Sequence, residues 1–203
     1  MLTVQNLSIS YHHQKVFANV GFSLPLGSCL LVKGDNGIGK TSLLKAIAGI
    51  IGLESGEILW NDHNIEQILP SFQQETKFIG HKNFFKPHLS VLENLQFYSK
   101  LTNTEVTVPL AMHFFGLTDI CHNKIAKLSA GWQQRCLLAL LLTNACSLWL
   151  LDEPTKNLDL AGKQQLKGLI QTRIKQNGIV IIATHTNIFD DLGQGLFLQD
   201  FTG

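Results

Sequence analysis

Gly34-Asp35-Asn36-Gly37-Ile38-Gly39-Lys40-Thr41 fits the phosphate-binding pattern G-x-x-x-x-G-K-[ST] without a substitution. The pattern has a physical basis. Gly37 and Gly39 let the backbone turn back on itself, so that successive N–H groups point into one concavity and cradle a phosphate. Lys40 supplies a point charge for β- and γ-oxygens, and the Thr41 hydroxyl, with Ser42 beside it, is placed to ligate Mg²⁺. The flanking sequence agrees. Cys29–Val32 (CLLV) reads as a buried strand, and Ser42–Ile51 (SLLKAIAGII) as a helix whose N-terminus faces the phosphates. Average Gly, Lys, Ser and Thr usage would produce such a match by accident on the order of once in a hundred chains of this length. The stretch predicts binding of a nucleoside triphosphate.

Upstream and downstream, the texture is that of an α/β protein. Leu2–Ser10, Val16–Leu24 and Glu57–Trp60 read as short strands, with turns at Gly27-Ser28 and Ser55-Gly56. After residue 82 the apolar spacing becomes helical, in Val91–Leu101, in Val108–Phe115 and beyond Ala130. Leu148–Leu151 and Ile179–Thr184 are then apolar strands on either side of an amphipathic helix, Gly162–Ile174. Strands alternating with helices after the phosphate loop predict a parallel sheet, with nucleotide at the carboxyl ends of its strands. Residues from about 83 to 127 read as a helical insertion.

Composition narrows the partners. A length of 203 residues suits one domain with a subdomain. The net charge of +1, with no Lys/Arg block, argues against nucleic acid. Charged residues make up 15%, against roughly 25% in ordinary soluble domains, which fits either an apolar-rich core or a surface covered by another protein. Cys29, Cys121, Cys136 and Cys146 form no C-x-x-C, so neither a zinc ribbon nor a redox pair is expected, and reduced thiols are. Met1–Ser10 alternates like a strand and lacks the basic start of a signal peptide. Cys136–Leu151 is interrupted by Thr143, Asn144 and Ser147 and falls short of the roughly 20 apolar residues of a membrane span.

Further constellations accompany the loop. Leu148–Leu151 ends on Asp152-Glu153, which places Asp152 to hold Mg²⁺ or its water and Glu153 to polarise the attacking water. Leu128-Ser129-Ala130-Gly131 precedes a long helix, so Ser129 and the Gly131 N–H form either a simple N-cap or a second anion site. Asp159 follows Pro154-Thr-Lys-Asn-Leu, and Thr184-His185 follows the last buried strand.

In this order the motifs resemble those of the ATP-binding-cassette (ABC) ATPases along essentially the whole chain. The resemblance implies a P-loop NTPase fold of the ABC type: a parallel core sheet, an antiparallel β subdomain and a helical insertion, with residues 1–203 as one nucleotide-binding domain. It implies ATP and Mg²⁺ as ligands, Tyr11 against the adenine, Gly34–Thr41 and Ser42 on the phosphates, and Asp152 with Thr41 on the metal. It also implies Glu153 as general base, His185 on the γ-phosphate, and Ser129, Gly131 and Asp159 acting across a head-to-tail pair of chains that sandwiches two nucleotides. Gly56-Glu-Ile-Leu-Trp60, Phe78-Ile-Gly-His81, Leu89–Tyr98 and Leu128–Gly131 with Gln133-Gln134-Arg135 resemble, more narrowly, the cassettes of cytochrome c biogenesis. That likeness implies a membrane-integral partner, a peripheral position on the cytoplasmic face of the inner membrane, and a part in delivering haem.

Two positions depart from the pattern. Lys82 stands where these cassettes usually carry a Gln that contacts Mg²⁺ and the attacking water, and Trp132 replaces the usual fifth signature Gln. An ammonium only donates hydrogen bonds and cannot ligate a metal, although it can approach the γ-phosphate, so slow turnover in isolation is expected. Three alternatives compete with this reading. They are an ABC ATPase serving another small-substrate exporter, a cassette that binds ATP as a switch with weak hydrolysis, and a cassette acting on ribosomes or DNA. The long arms and basic runs typical of the last class are missing here.

Overall fold

The computed structural model describes residues 1–12, 14–80, 84–102, 104–143 and 146–202. Chain contacts divide the molecule into two compact units. The first comprises Met1–Gly80, Cys146–Glu153 and Leu169–Gly203, and the second His81–Ala145 and Pro154–Gly168.

The first unit contains two sheets. Strands β1 (Leu2–Tyr11), β2 (Gln14–Leu24), β4 (Ser55–Trp60) and β5 (His63–Asn64) form an antiparallel sheet in the order β2-β1-β4-β5. Strands β3 (Cys29–Lys33), β6 (Thr76–Ile79), β7 (Leu148–Asp152), β8 (Ile179–Ala183) and β9 (Gln194–Phe197) form a parallel sheet in the order β6-β7-β8-β3-β9. Every residue of β7 and β8 is buried, because an inner parallel strand is covered on both faces. This is why both read as unbroken apolar runs.

Period-two alternation in β1 buries Leu2, Val4, Leu7 and Ile9, and register shifts after Val4 and Leu7 keep the apolar side inward. Helix α1 (Lys40–Ile47) contributes Leu43, Leu44 and Ile47 to one core with Leu30, Val32, Leu148, Leu150, Ile179 and Ile181. Burying each such side chain is worth about 1.5–3 kcal/mol. Trp60 of β4 meets Phe72 of α2 (Leu69–Gln74) edge to face at 5.7 Å. Helix α1 is shorter than the predicted Ser42–Ile51, because the chain turns at Gly49, whose φ is +64°.

The second unit is helical. It contains α3 (Val91–Lys100), α4 (Val108–Phe114) and α5 (Ala130–Ala139), joined by single turns at Glu105–Thr107, Thr118–Ile120 and Ile125–Lys127. Polar side chains fix its entry. Ser90 caps α3 by accepting from the Glu93 N–H at 3.2 Å, and Glu93 Oε2 accepts from the Ser90 N–H at 2.7 Å. The Ser90 N–H first, and then the Ser90 hydroxyl, which also donates to Glu93 Oε2 at 2.8 Å, hold the Glu93 carboxyl below its ordinary pKa. Asn94, fully buried, bonds both the N–H and the carbonyl of Lys86 at 2.8 and 3.0 Å. Helix α6 (Leu160–Lys175) begins in this unit and ends in the first.

Candidate functional site

The phosphate loop leaves β3 at the carboxyl end of the parallel sheet. Gly34, Gly37 and Gly39 all have left-handed φ values, +141°, +86° and +110°. Gly39 is also the residue from which α1 starts, and a Cβ there would lie 2.5 Å from Val16 Cγ1, so only glycine fits between loop and β2. Asp35, Asn36 and Gly37 are exposed at the tip, and Ile38 is half-buried and packs on the core. The buried Lys40 ammonium donates to the carbonyls of Gly34 at 2.7 Å and Asp35 at 2.9 Å, which holds its charge inside the loop. Tyr11, 45% exposed at the end of β1, donates to Ser42 Oγ at 3.4 Å.

Strand register delivers the acidic pair to the same place. Asp152 ends β7 opposite Ala183 of β8, and Thr41 Oγ1 donates to Asp152 Oδ2 at 2.7 Å. A hydroxyl and a carboxylate oxygen at this spacing suit a hard cation such as Mg²⁺, which takes few protein oxygens and fills its octahedron with water and phosphate oxygens.

Glu153 takes a left-handed backbone conformation, φ +49°, that non-glycine residues adopt at a cost. Its N–H donates to the Ala183 carbonyl at 2.8 Å, which ties the strained residue to β8. His185 Nδ1 lies 2.9 Å from Glu153 Oε2, an ion-pair distance. Yet both carboxylate oxygens are buried without a hydrogen bond of acceptable geometry, so the imidazole approaches the carboxylate without satisfying it. A buried carboxylate with unused lone pairs is costly unless a ligand or reacting group uses them. The structure thus brings Tyr11, the phosphate loop, Ser42, Asp152, Glu153 and His185 together in the first unit.

Ser129, Gly131 and Asp159 lie in the second unit. Ser129 caps α5, with its hydroxyl accepting from the Trp132 N–H at 3.4 Å. A Cβ on Gly131 would lie 2.9 Å from the Asn157 carbonyl oxygen, so the start of α5 presses on the segment after Glu153. That segment is fastened twice more. Gln134 donates to the Pro154 carbonyl at 3.0 Å, and Arg135 pairs with Asp159 at 2.8 Å. Asp159 also accepts from the Gly162 N–H at 2.9 Å, and this backbone bond, ahead of the arginine, lowers its pKa. Arg135 further stacks over Trp132 at 5.5 Å. Gln134 and Arg135 are absent from the sequence-predicted site, because their partners lie 20 and 24 positions away. Lys82 lies outside the described residues, as does His81.

Residues 17–156 match the family described as ABC transporter. A cytochrome c biogenesis ATP-binding export protein CcmA of Wolbachia pipientis is 37% identical, the match covering 92% of this chain and 90% of that protein. The protein of the same description from Vibrio cholerae is 38% identical, with 94% of each covered. Among solved structures, a Pyrococcus furiosus ABC transporter ATP-binding protein superposes with a TM-score of 0.87 at 24% identity, over 100% of this chain and 99% of that one. A dimeric ATP-binding cassette, bound to ADP and Pi in a post-hydrolysis state, gives 0.85 at 20% identity over 98% and 95%. These two likenesses concern the fold. The chain belongs to the ABC transporter family of ATPases and, within it, to the cytochrome c biogenesis ATP-binding export proteins.

Proposed function

We propose that this chain is the ATP-hydrolysing subunit of a membrane complex that delivers haem for c-type cytochromes. The observation that carries the hydrolytic reading is Glu153, a buried carboxylate with unused lone pairs beside an Asp152 already held by Thr41. Lys40 exchanges the Gly34 and Asp35 carbonyls for β- and γ-phosphate oxygens. Thr41 and Asp152 hold Mg²⁺, which when bound offsets charge on the transferring phosphoryl group. Glu153 accepts a proton from the attacking water as the new O–P bond forms and the β–γ bridging bond breaks, releasing ADP and phosphate. His185, its side chain 67% exposed, contacts the γ-phosphate.

Each chain carries one phosphate loop and one Ser129–Gly131 turn. The turn, with Asp159, therefore serves the nucleotide on a second copy, and both units together act as one nucleotide-binding domain. An ammonium at position 82 cannot ligate the metal or orient the attacking water as a Gln would, so Lys82→Gln should raise steady-state turnover without greatly tightening ATP binding. Slower turnover in that variant would instead make Lys82 a stabiliser of transition-state charge.

Among the described residues no helix is long and apolar enough to cross a membrane. Attachment to the cytoplasmic face of the inner membrane therefore runs through a membrane-integral partner. Purification of the chain with the cell's membrane fraction, identification of the bound subunit and a haem assay test this role. Recovery of a polytopic subunit with haem supports it, whereas a complex that never contains haem redirects the reading to another small-substrate exporter.

A further inference from the structure

His185 stands on a short segment that β3 holds at both ends. At the near end Thr184, fully buried, donates its N–H to the Val32 carbonyl at 3.1 Å, and its hydroxyl accepts from the Thr186 N–H at 3.2 Å. At the far end the Lys33 ammonium reaches Asp190 Oδ1 at 2.6 Å. Val32 and Lys33 are consecutive, and Gly34, the first residue of the phosphate loop, comes next. We infer that Lys33 and Asp190 are positioning residues for ATP hydrolysis: their ion pair holds the segment that carries His185 against the root of the phosphate loop.

The inference rests on the reading of His185 as the γ-phosphate contact and adds what keeps that contact in place. The His185 side chain is mostly exposed and approaches Glu153 without satisfying its carboxylate, so its position depends on the backbone that carries it. That backbone is bent into turns. The Asp190 N–H donates to the Asn187 carbonyl at 3.2 Å, and the Leu192 N–H to the carbonyl of the fully buried Phe189 at 2.8 Å. Phe189 anchors the turns to the apolar core, and the Lys33–Asp190 pair ties them to β3. The Asp190 side chain is 44% exposed and that of Lys33 21%, so water screens the pair and its effect is modest. A modest displacement still matters, because the reacting geometry tolerates little error.

The test is steady-state ATP hydrolysis and ADP binding by Lys33→Met, Asp190→Ala and His185→Ala, and by Asp190→Ala combined with His185→Ala. Lys33→Met and Asp190→Ala should each lower kcat by about threefold to fivefold, the scale of one partly exposed ion pair. ADP has no γ-phosphate, so its Kd should match the wild type in both. With His185 already removed, Asp190→Ala should cost nothing further, because effects routed through one residue do not add. A full further loss in that background, or weaker ADP binding in the single variants, would overturn the inference, since the pair would then act on the phosphate loop directly. Wild-type kcat in Lys33→Met and Asp190→Ala, with turnover lost in His185→Ala, would remove the pair and leave the reading of His185 standing. Wild-type turnover in His185→Ala would overturn that reading and this inference with it.

Discussion

Asp152 and Ser129 both stand at the ends of secondary-structure elements, yet different physics places them. Asp152 is delivered by sheet register: β7 is buried along its length, and pairing with β8 leaves one position for its last residue. Ser129 is delivered by side chains. Gln133 bonds the carbonyls of Ile125 and Leu128, both at 3.1 Å, and Gln134 and Arg135 reach Pro154 and Asp159. A one-residue slip of β7 would move Asp152 out of its place opposite Ala183 and away from Thr41, so the sheet register itself fixes the carboxylate. A site built on polar side-chain contacts can shift by exchanging partners. The proposed chemistry thus rests on residues of the first unit, and the proposed contact with a second copy on residues of the second.

The two glycines at element starts should separate these roles most sharply. Gly39→Ala places a methyl group against Val16 at a left-handed φ, so the phosphate loop should be displaced. A stability loss of about 1–3 kcal/mol is expected, read by thermal unfolding, together with loss of nucleotide binding in the single chain. Gly131→Ala would bring a methyl group 2.9 Å from the Asn157 carbonyl oxygen and 4.0 Å from Ser129 Oγ, so the clash stays within the second unit. It should leave ATP binding by the single chain intact and lower hydrolysis in the assembled pair. If both variants lose binding equally, the division of labour between the units is wrong.

Ser90→Ala should cost about 1 kcal/mol through the lost cap on α3, read as a lower denaturant midpoint. The effect belongs to the second unit, so ATP binding should be unchanged. The smallest effect is the acid response of Asp159. Its carboxyl is held low by the Gly162 N–H and Arg135, so this contribution is complete above the ordinary carboxylate range. It is lost as pH falls through the lowered value. Arg135→Ala should therefore move the midpoint of acid unfolding slightly upward, and no movement would leave the ion pair without energetic weight.

What was legible in the sequence follows the same division. The phosphate loop is local: eight consecutive residues carry their own geometry, and Cys29–Val32 and Leu148–Leu151 announce themselves as buried strands. Asp152 and Glu153 could be placed because they end such a run. Strands β6 and β9 escaped notice at four residues each, too short to show a period, with β9 mostly exposed at the sheet edge. The Arg135–Asp159 pair and the close approach of Gly131 to Asn157 join residues far apart in the chain. No spacing rule brings such residues together. The left-handed φ of Glu153 is equally hidden, because nothing in its residue type announces it.

The central claim is that Glu153 takes the proton from the attacking water and has no part in holding ATP. Glu153→Gln keeps the shape of the side chain and removes the base. Paired measurements of ATP binding, ATP hydrolysis and sedimentation in ATP on this variant test the claim most directly. Binding should match the wild type, turnover should fall by about 10²–10⁴, and the chain should accumulate as an ATP-bound dimer. Hydrolysis at the wild-type rate would contradict the account and return the buried carboxylate to a structural role.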